Sequence, residues 1–222
     1  MSDLNGRGYA QRSNNGVCKE RIVLAKLYFH YATMNAGKST LLLQSSYNYE
    51  ERGMRTIVLI ADFDERAGAG RISSRIGLSS DAIAFSPADD LYGLVKDVVS
   101  QTDAACVFVD EAQFLSEVQV WQLARVADRL GIPVMAYGLR TDFRGQLFPG
   151  SAALLAIADE LREVRTICHC GRKATMVVRI GPDGQVAHEG AQIEIGGNEK
   201  YVSLCRRHWD EAMNGAFSAD PA

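Results

Sequence analysis

Two short stretches of this 222-residue chain carry the residue types that handle phosphate. Met34-Asn35-Ala36-Gly37-Lys38-Ser39-Thr40 follows a largely apolar run over residues 24–29 and precedes Leu41-Leu42-Leu43-Gln44, so its Gly-Lys-Ser falls between a strand and a helix. Successive backbone N–H groups in such a loop point into one concavity, the helix N-terminus adds partial positive charge, and Lys38 supplies a full one. A nucleoside triphosphate is the expected occupant, cradled by Ala32, Thr33, Met34, Asn35, Ala36, Gly37, Lys38 and Ser39, with the Ser39 hydroxyl as a ligand for Mg²⁺. Ala32 stands where this pattern usually opens with glycine. Its methyl group is tolerable if the backbone there has no need of positive φ.

The second stretch is Cys106-Val107-Phe108-Val109, which ends in Asp110-Glu111 and reads as a buried strand delivering two carboxylates to a sheet edge. If that edge also carries the loop at 32–39, Asp110 can bind Mg²⁺ and Glu111 is left to accept a proton from an attacking hydroxyl. The pair specifies phosphoryl transfer more closely than it specifies the acceptor. A glutamate in this place serves water, giving an ATPase, as well as it serves a substrate hydroxyl, giving a kinase. An ATPase working on nucleic acid or a protein partner, or a nucleotide-binding module without catalysis, stays open at this point.

Three of the five cysteines cluster late in the chain, as Cys168-His169-Cys170 and Cys205-Arg206-Arg207-His208. Two ligand pairs separated by a β-like insertion are how small ribbons assemble a tetrahedral zinc site. With Cys168, Cys170, Cys205 and His208 bound, the ion has no open position and its role is structural. His169 competes as fourth ligand, at an awkward position between two ligating cysteines. Reduced cysteines in a loop-rich module, or a redox pair, are the alternatives.

These groups need elements to hold them. Apolar residues make up 47% of the chain, ample for a core, and the net charge of −3 gives no general attraction to nucleic acid or an anionic membrane. No apolar run approaches a membrane span and residues 1–20 lack the apolar core of a secretory signal, so a cytoplasmic protein is expected. Residues 1–22 and 216–222 read as tails. Between them, near-continuous apolar runs at 23–31, 56–61, 105–109 and 132–137 predict strands buried on both faces of a parallel sheet. Helices are expected over 88–101 and from Ser116, whose spacing to Gln119 is that of a capping box, with Val120, Trp121, Ala124, Ala127 and Leu130 on one face. The alternation predicts a doubly wound α/β fold of the P-loop NTPase kind over residues 23–165, with ligands at the carboxyl ends of the strands. A smaller, zinc-ribbon-like β domain follows over 166–215. The Gly/Ser-rich stretch 68–80 is expected to be mobile.

The combination resembles one known family, thymidine kinase of the cytosolic, zinc-containing type, in its bacterial branch. The motifs that carry the resemblance are Met34-Asn35-Ala36-Gly37-Lys38-Ser39, Asp110-Glu111-Ala112-Gln113-Phe114, Tyr137-Gly138-Leu139-Arg140-Thr141-Asp142-Phe143, Ile195-Gly196-Gly197-Asn198-Glu199-Lys200-Tyr201 and the two zinc-ligand pairs. The resemblance implies ATP-dependent phosphorylation of the thymidine 5′-hydroxyl, with Glu111 as general base. Lys38, Ser39 and Asp110 would organise phosphates and Mg²⁺, with Ala112 and Gln113 beside them. Met34, Leu139, Phe143, Phe148 and Tyr201 match the residues that pack on the thymine ring, and Ile195, Gly196 and Gly197 match the loop that encloses it. Arg66 matches a position near the site. Family members are typically homotetramers inhibited by the end product dTTP, so both are expected by resemblance. Ala32 and the tight Cys-x-Cys spacing match the bacterial branch, whereas residues 1–22 have no counterpart in it.

Overall fold

Apolar runs uninterrupted by polar residues are satisfied only in strands covered on both faces. In the computed structural model, which describes residues 25–62, 70–74, 76–192 and 200–215, the elements run β1 (Leu27–Ala32), α1 (Lys38–Glu50), β2 (Arg55–Ala61), β3 (Arg71–Ser73), β4 (Ser79–Asp81), β5 (Ile83–Phe85), α2 (Leu91–Gln101), β6 (Ala104–Val109), α3 (Glu117–Arg125), β7 (Val134–Leu139), α4 (Pro149–Ile157), β8 (Glu160–Glu163), β9 (Thr166–Ile167), β10 (Lys173–Ala174), β11 (Met176–Arg179), β12 (Tyr201–Leu204) and α5 (Arg206–Met213). The fold is α/β. Six strands form a parallel sheet in the order β5-β2-β6-β7-β1-β8. The expected tails, Arg66, and Ile195, Gly196 and Gly197 lie outside the described residues.

Because side chains alternate across a strand, each central strand divides its apolar residues between two layers. Leu27, Phe29, Ile57, Leu59, Val107, Val109, Val134 and Ala136 face one layer, where Leu91, Val95, Val120, Leu123 and Leu154 from α2, α3 and α4 cover them. Val58, Ile60, Cys106, Phe108 and Tyr137 face the other, under Leu42 and Leu43 of α1 and Ile72 of β3. Register brings Ala32 opposite Leu139 and Val109 opposite Ala136. The loop after β1 and the carboxylates after β6 therefore emerge at one sheet edge, with β7 between them, where open α/β sheets bind ligands.

Several sequence expectations are adjusted. β1 and β7 are displaced toward their carboxyl ends relative to 23–31 and 132–137, because their mutual pairing continues through Gly138 and Leu139. α2 starts at Leu91 rather than 88, since the Asp90 side chain accepts a hydrogen bond from Tyr92 N and caps it there. The capping box at Ser116 and Gln119 is present in both directions. Trp121, however, points out at 48% exposure, while Val120, Leu123, Val126 and Ala127 form the buried stripe. One residue is about 100° of helix rotation, enough to carry Trp121 off that stripe. Within the stretch read as mobile, β3 and β4 pair antiparallel and bury Ile72 against the sheet.

After β8 the texture changes to two-stranded antiparallel ladders, β9 with β10 and β11 with β12, and α5. Their apolar cluster is small: Cys168, Ala174, Val178, Leu204, Cys205 and Ala212, with Trp209 packed against it. Cores of this size usually need a staple such as a metal or disulfide.

One buried group in the main sheet makes stability depend on pH. His30 of β1 stacks on Tyr137 with ring centroids 4.3 Å apart, and its buried Nε2 has no hydrogen-bond partner among the described residues. Burial, aided by the charge of Arg162, lowers its pKa from 6.5 to about 4. The unfolded chain thus binds the extra proton first, so the folded state is most favoured above pH 6.5 and loses ground as pH falls toward 4. His30→Phe, which keeps a stacked ring, is expected to flatten the fall in Tm between about pH 7 and pH 5 that this shift produces. An acid slope identical to wild type would show that another group sets it.

Candidate active site

The phosphate loop is built from backbone conformation. Ala32 belongs to β1, buried and paired with Leu139, and its carbonyl accepts a hydrogen bond from Arg140 N at 3.0 Å. Its φ is not positive, so alanine fits where glycine is usual. The left-handed conformation appears further on, at Asn35 (φ 62°) and Gly37 (φ 83°), the second forming the N-cap of α1. A Cβ at Gly37 would touch nothing within 4 Å, so glycine is required there by the backbone alone. Lys38, only 8% exposed, turns back over the loop with Nζ 3.5 Å from Thr33 O.

Ser39, in the first turn of α1, joins this loop to the acidic pair: its Oγ donates to Asp110 Oδ2 at 2.8 Å. Asp110 is 1% exposed and its Oδ1 has no partner among the described residues. Burial and then the neighbouring Glu111 raise its pKa to about 7, against the opposing pull of the Ser39 hydrogen bond and the Lys38 charge. A buried carboxylate with an unmatched oxygen, beside a hydroxyl and at a helix N-terminus, is chemically matched to a hard cation with oxygen ligands.

Glu111 occupies the left-handed region at φ 51°, an uncommon conformation for a residue with a side chain. It starts a single 3₁₀ turn over Ala112–Phe114. Its Oε2 accepts from Gln113 Nε2 at 2.6 Å, and Gln113 Oε1 accepts from Leu139 N at 2.9 Å. Lys38, Ser39, Asp110, Glu111, Ala112 and Gln113 are thus one connected group.

Of the residues matched to an acceptor pocket, Leu139, Phe143 and Phe148 are buried, and Met34 and Tyr201 are half-buried. The Arg179 guanidinium lies 4.0 Å from the centroid of Phe143, whose carbonyl accepts from Trp209 Nε1 at 3.0 Å. Phe148 meets Phe114 edge-on. Met34 and Tyr201 are drawn together by contacts that motif reading missed. Ser203 Oγ donates to Met34 O at 2.6 Å, and Asn35 Nδ2 donates to Tyr201 O at 3.2 Å, so β12 of the small unit docks on the phosphate loop. No sequence motif signals these contacts, since each is accepted by a backbone carbonyl. Asp142 was also passed over. It is buried, accepts from the backbone N of Arg144 and Gln146, and pairs with the Arg144 guanidinium at 3.1 Å.

The ligand atoms of Cys168, Cys170, Cys205 and His208 all lie within 4.8 Å of one another. His208 Nδ1 is 3.3 Å from Cys168 Sγ and 3.5 Å from Cys205 Sγ, and the sulfurs of Cys170 and Cys205 are 3.9 Å apart. A tetrahedron with metal–sulfur bonds near 2.3 Å has edges of about 3.8 Å, so these four atoms could hold a metal ion. His169 stacks on His208 at 4.2 Å and is outside this set. Cys106 is buried in the sheet, where burial raises its thiol to about 12 and leaves it inert.

Known proteins similar to this chain are thymidine kinases. A family model described as thymidine kinase matches residues 25–209. The chain is 70% identical over 199 residues to the thymidine kinase of Rhizobium etli, covering 89% of this chain and 100% of that protein. It is 74% identical over 192 residues to that of Rhizobium meliloti, covering 86% and 98%. With the more divergent thymidine kinase of Salmonella paratyphi A it shares 57% over 197 residues, covering 88% and 96%.

The ligand geometry has a direct consequence for purified protein. One metal ion per chain is expected by elemental analysis, and Cys205→Ser is expected to lose it together with several degrees of Tm. A wild-type chain free of metal, with the same Tm as the variant, would contradict the metal reading.

Proposed function

The chain belongs to the thymidine kinase family, and from that premise we propose that it transfers the γ-phosphoryl group of ATP to the 5′-hydroxyl of thymidine, giving dTMP and ADP. The observation that carries the mechanism is the hydrogen bond from Ser39 to Asp110 at the end of β6, with Glu111 next along the chain. It unites a phosphate-binding loop, a cation-demanding carboxylate and a candidate base in one place.

In this mechanism the loop amides from Ala32 to Gly37 and the Lys38 ammonium hold the triphosphate. Ser39 and Asp110 would hold Mg²⁺, which when bound neutralises charge on the β- and γ-phosphates. The 5′-oxygen forms its bond to the γ-phosphorus as the bond to the bridging oxygen breaks and ADP departs, while Glu111 accepts the hydroxyl proton. Ala112 and Gln113 lie buried beside the acidic pair, and by the resemblance Arg66 would contribute positive charge. Met34, Leu139, Phe143, Phe148 and Tyr201 pack on the thymine ring, and Ile195, Gly196 and Gly197 enclose it. Excluding water around the acceptor is what separates a kinase from an ATPase.

Zinc suits Cys168, Cys170, Cys205 and His208, because three thiolates and an imidazole with short mutual distances form a closed structural set. It would supply fold stability to the small unit and no chemistry. A homotetramer inhibited by dTTP accords with the resemblance. No helix among the described residues is long and apolar enough to cross a membrane, and a cytoplasmic location fits a salvage enzyme. Among the described residues no geometric feature favours an ATPase acting on nucleic acid or a protein partner.

Glu111→Gln keeps the shape and removes the proton acceptor. Its kcat for dTMP formation is expected to fall by about 10²–10⁴-fold with KM values changed only a few-fold. A variant that turns over at the wild-type rate would remove Glu111 from the role of base.

A further inference from the structure

We propose that Gln113 is a positioning residue for Glu111, coupling the base to the strand that forms the acceptor side of the site. The proposal rests on the kinase reading above and adds a residue whose action is indirect. Gln113 is 1% exposed, and both ends of its side-chain amide are engaged: Nε2 donates to Glu111 Oε2 at 2.6 Å and Oε1 accepts from Leu139 N at 2.9 Å. The orientation of the amide follows from the donor at Leu139. A backbone N–H can only donate, so it selects the oxygen of Gln113 and turns the NH₂ toward the carboxylate.

A glutamate side chain has free torsions, and a base must stay within hydrogen-bond reach of the proton it removes. Here one carboxylate oxygen is held by a charge-assisted hydrogen bond from Gln113, which restricts the torsions of the side chain. The holder is itself rigid. A Cβ on Gly138 of β7 would come within 2.9 Å of Gln113 N and 3.0 Å of its Oε1, so glycine makes the space in which the amide lies. On the other side, a Cβ on Gly150 in the first turn of α4 would come within 2.7 Å of Ala112 O and 2.9 Å of Gln113 O. The 3₁₀ turn is thus clamped between β7 and α4. Leu139 is fixed in turn, because its carbonyl accepts from Ser151 Oγ of α4. A residue of the acceptor pocket and the base therefore share one fixed frame through Gln113.

The test is a double-mutant cycle on dTMP formation by the full-length, metal-loaded protein. Gln113→Met preserves volume and removes both hydrogen bonds; Gln113→Glu preserves the acceptor for Leu139 N and sets a second carboxylate against Glu111. Each is expected to lower kcat by about 10–100-fold, with KM for ATP and thymidine within about threefold of wild type. In a Glu111→Gln background the same changes are expected to cost less than about twofold, because their effect passes through Glu111. Losses that multiply in that background, or that appear in KM alone, would overturn the positioning role. Were Gln113→Met to fail to fold, Gln113→Glu completes the cycle on its own. Wild-type protein that makes no dTMP would instead sink the kinase reading, an outcome separable from additive losses in an enzyme that works.

Discussion

The site depends on a carboxylate placed where water does not reach it. Asp110 ends a strand buried on both faces, at 1% exposure, and burial raises its pKa to about 7. An ionised carboxylate there needs compensation. The surroundings supply it in layers: a hydrogen bond from Ser39, the charge of Lys38, and the N-terminus of α1. The left-handed turns at Asn35 and Gly37 bring those groups onto the end of β6. Strand order does the rest, since β6 and β1 flank β7 and send both loops to one edge. The groups that compensate the buried carboxylate are thereby fixed in advance at one sheet edge.

The small unit is part of this machinery through a single strand. Along β12 and into α5, Tyr201 offers its carbonyl to Asn35, Ser203 donates to Met34, and Cys205 joins the Cys/His cluster that could hold a metal ion. These residues follow one another through β12 to the N-cap of α5, so one short stretch of chain links the Cys/His cluster to the phosphate loop. Trp209 of α5 adds a second tie, donating to Phe143 O of the main unit and to Val177 O of β11. A weak apolar core in the small unit would leave these contacts loose, which gives the Cys/His cluster a bearing on the phosphate loop that its chemistry alone would not suggest.

What could be read from the sequence was whatever is enforced locally. Gly37 and Lys38 were legible because few other residues meet the backbone and charge requirements of a phosphate loop. The central strands were legible as unbroken apolar runs, and α3 as a capping box. Features set by tertiary contact were not. β8, Glu160-Leu161-Arg162-Glu163, has no apolar run because it lies at the sheet edge, where charged side chains are favoured. Trp121 looks like a core residue by type, yet helix phase turns it outward. Gln113 looks like a motif residue facing a nucleotide, and only its two partners, Glu111 and Leu139, reveal the frame it makes.

The central claim is that this buried charge network delivers phosphate to a nucleoside hydroxyl and not to water. It is tested most directly by following ATP consumption and dTMP formation together, in Mg²⁺, with thymidine present and then withheld. The account predicts one dTMP for each ATP consumed, with ATP loss falling to a small fraction of that rate when thymidine is withheld. ATP hydrolysis that proceeds at the same rate with or without thymidine, and without dTMP, would contradict it.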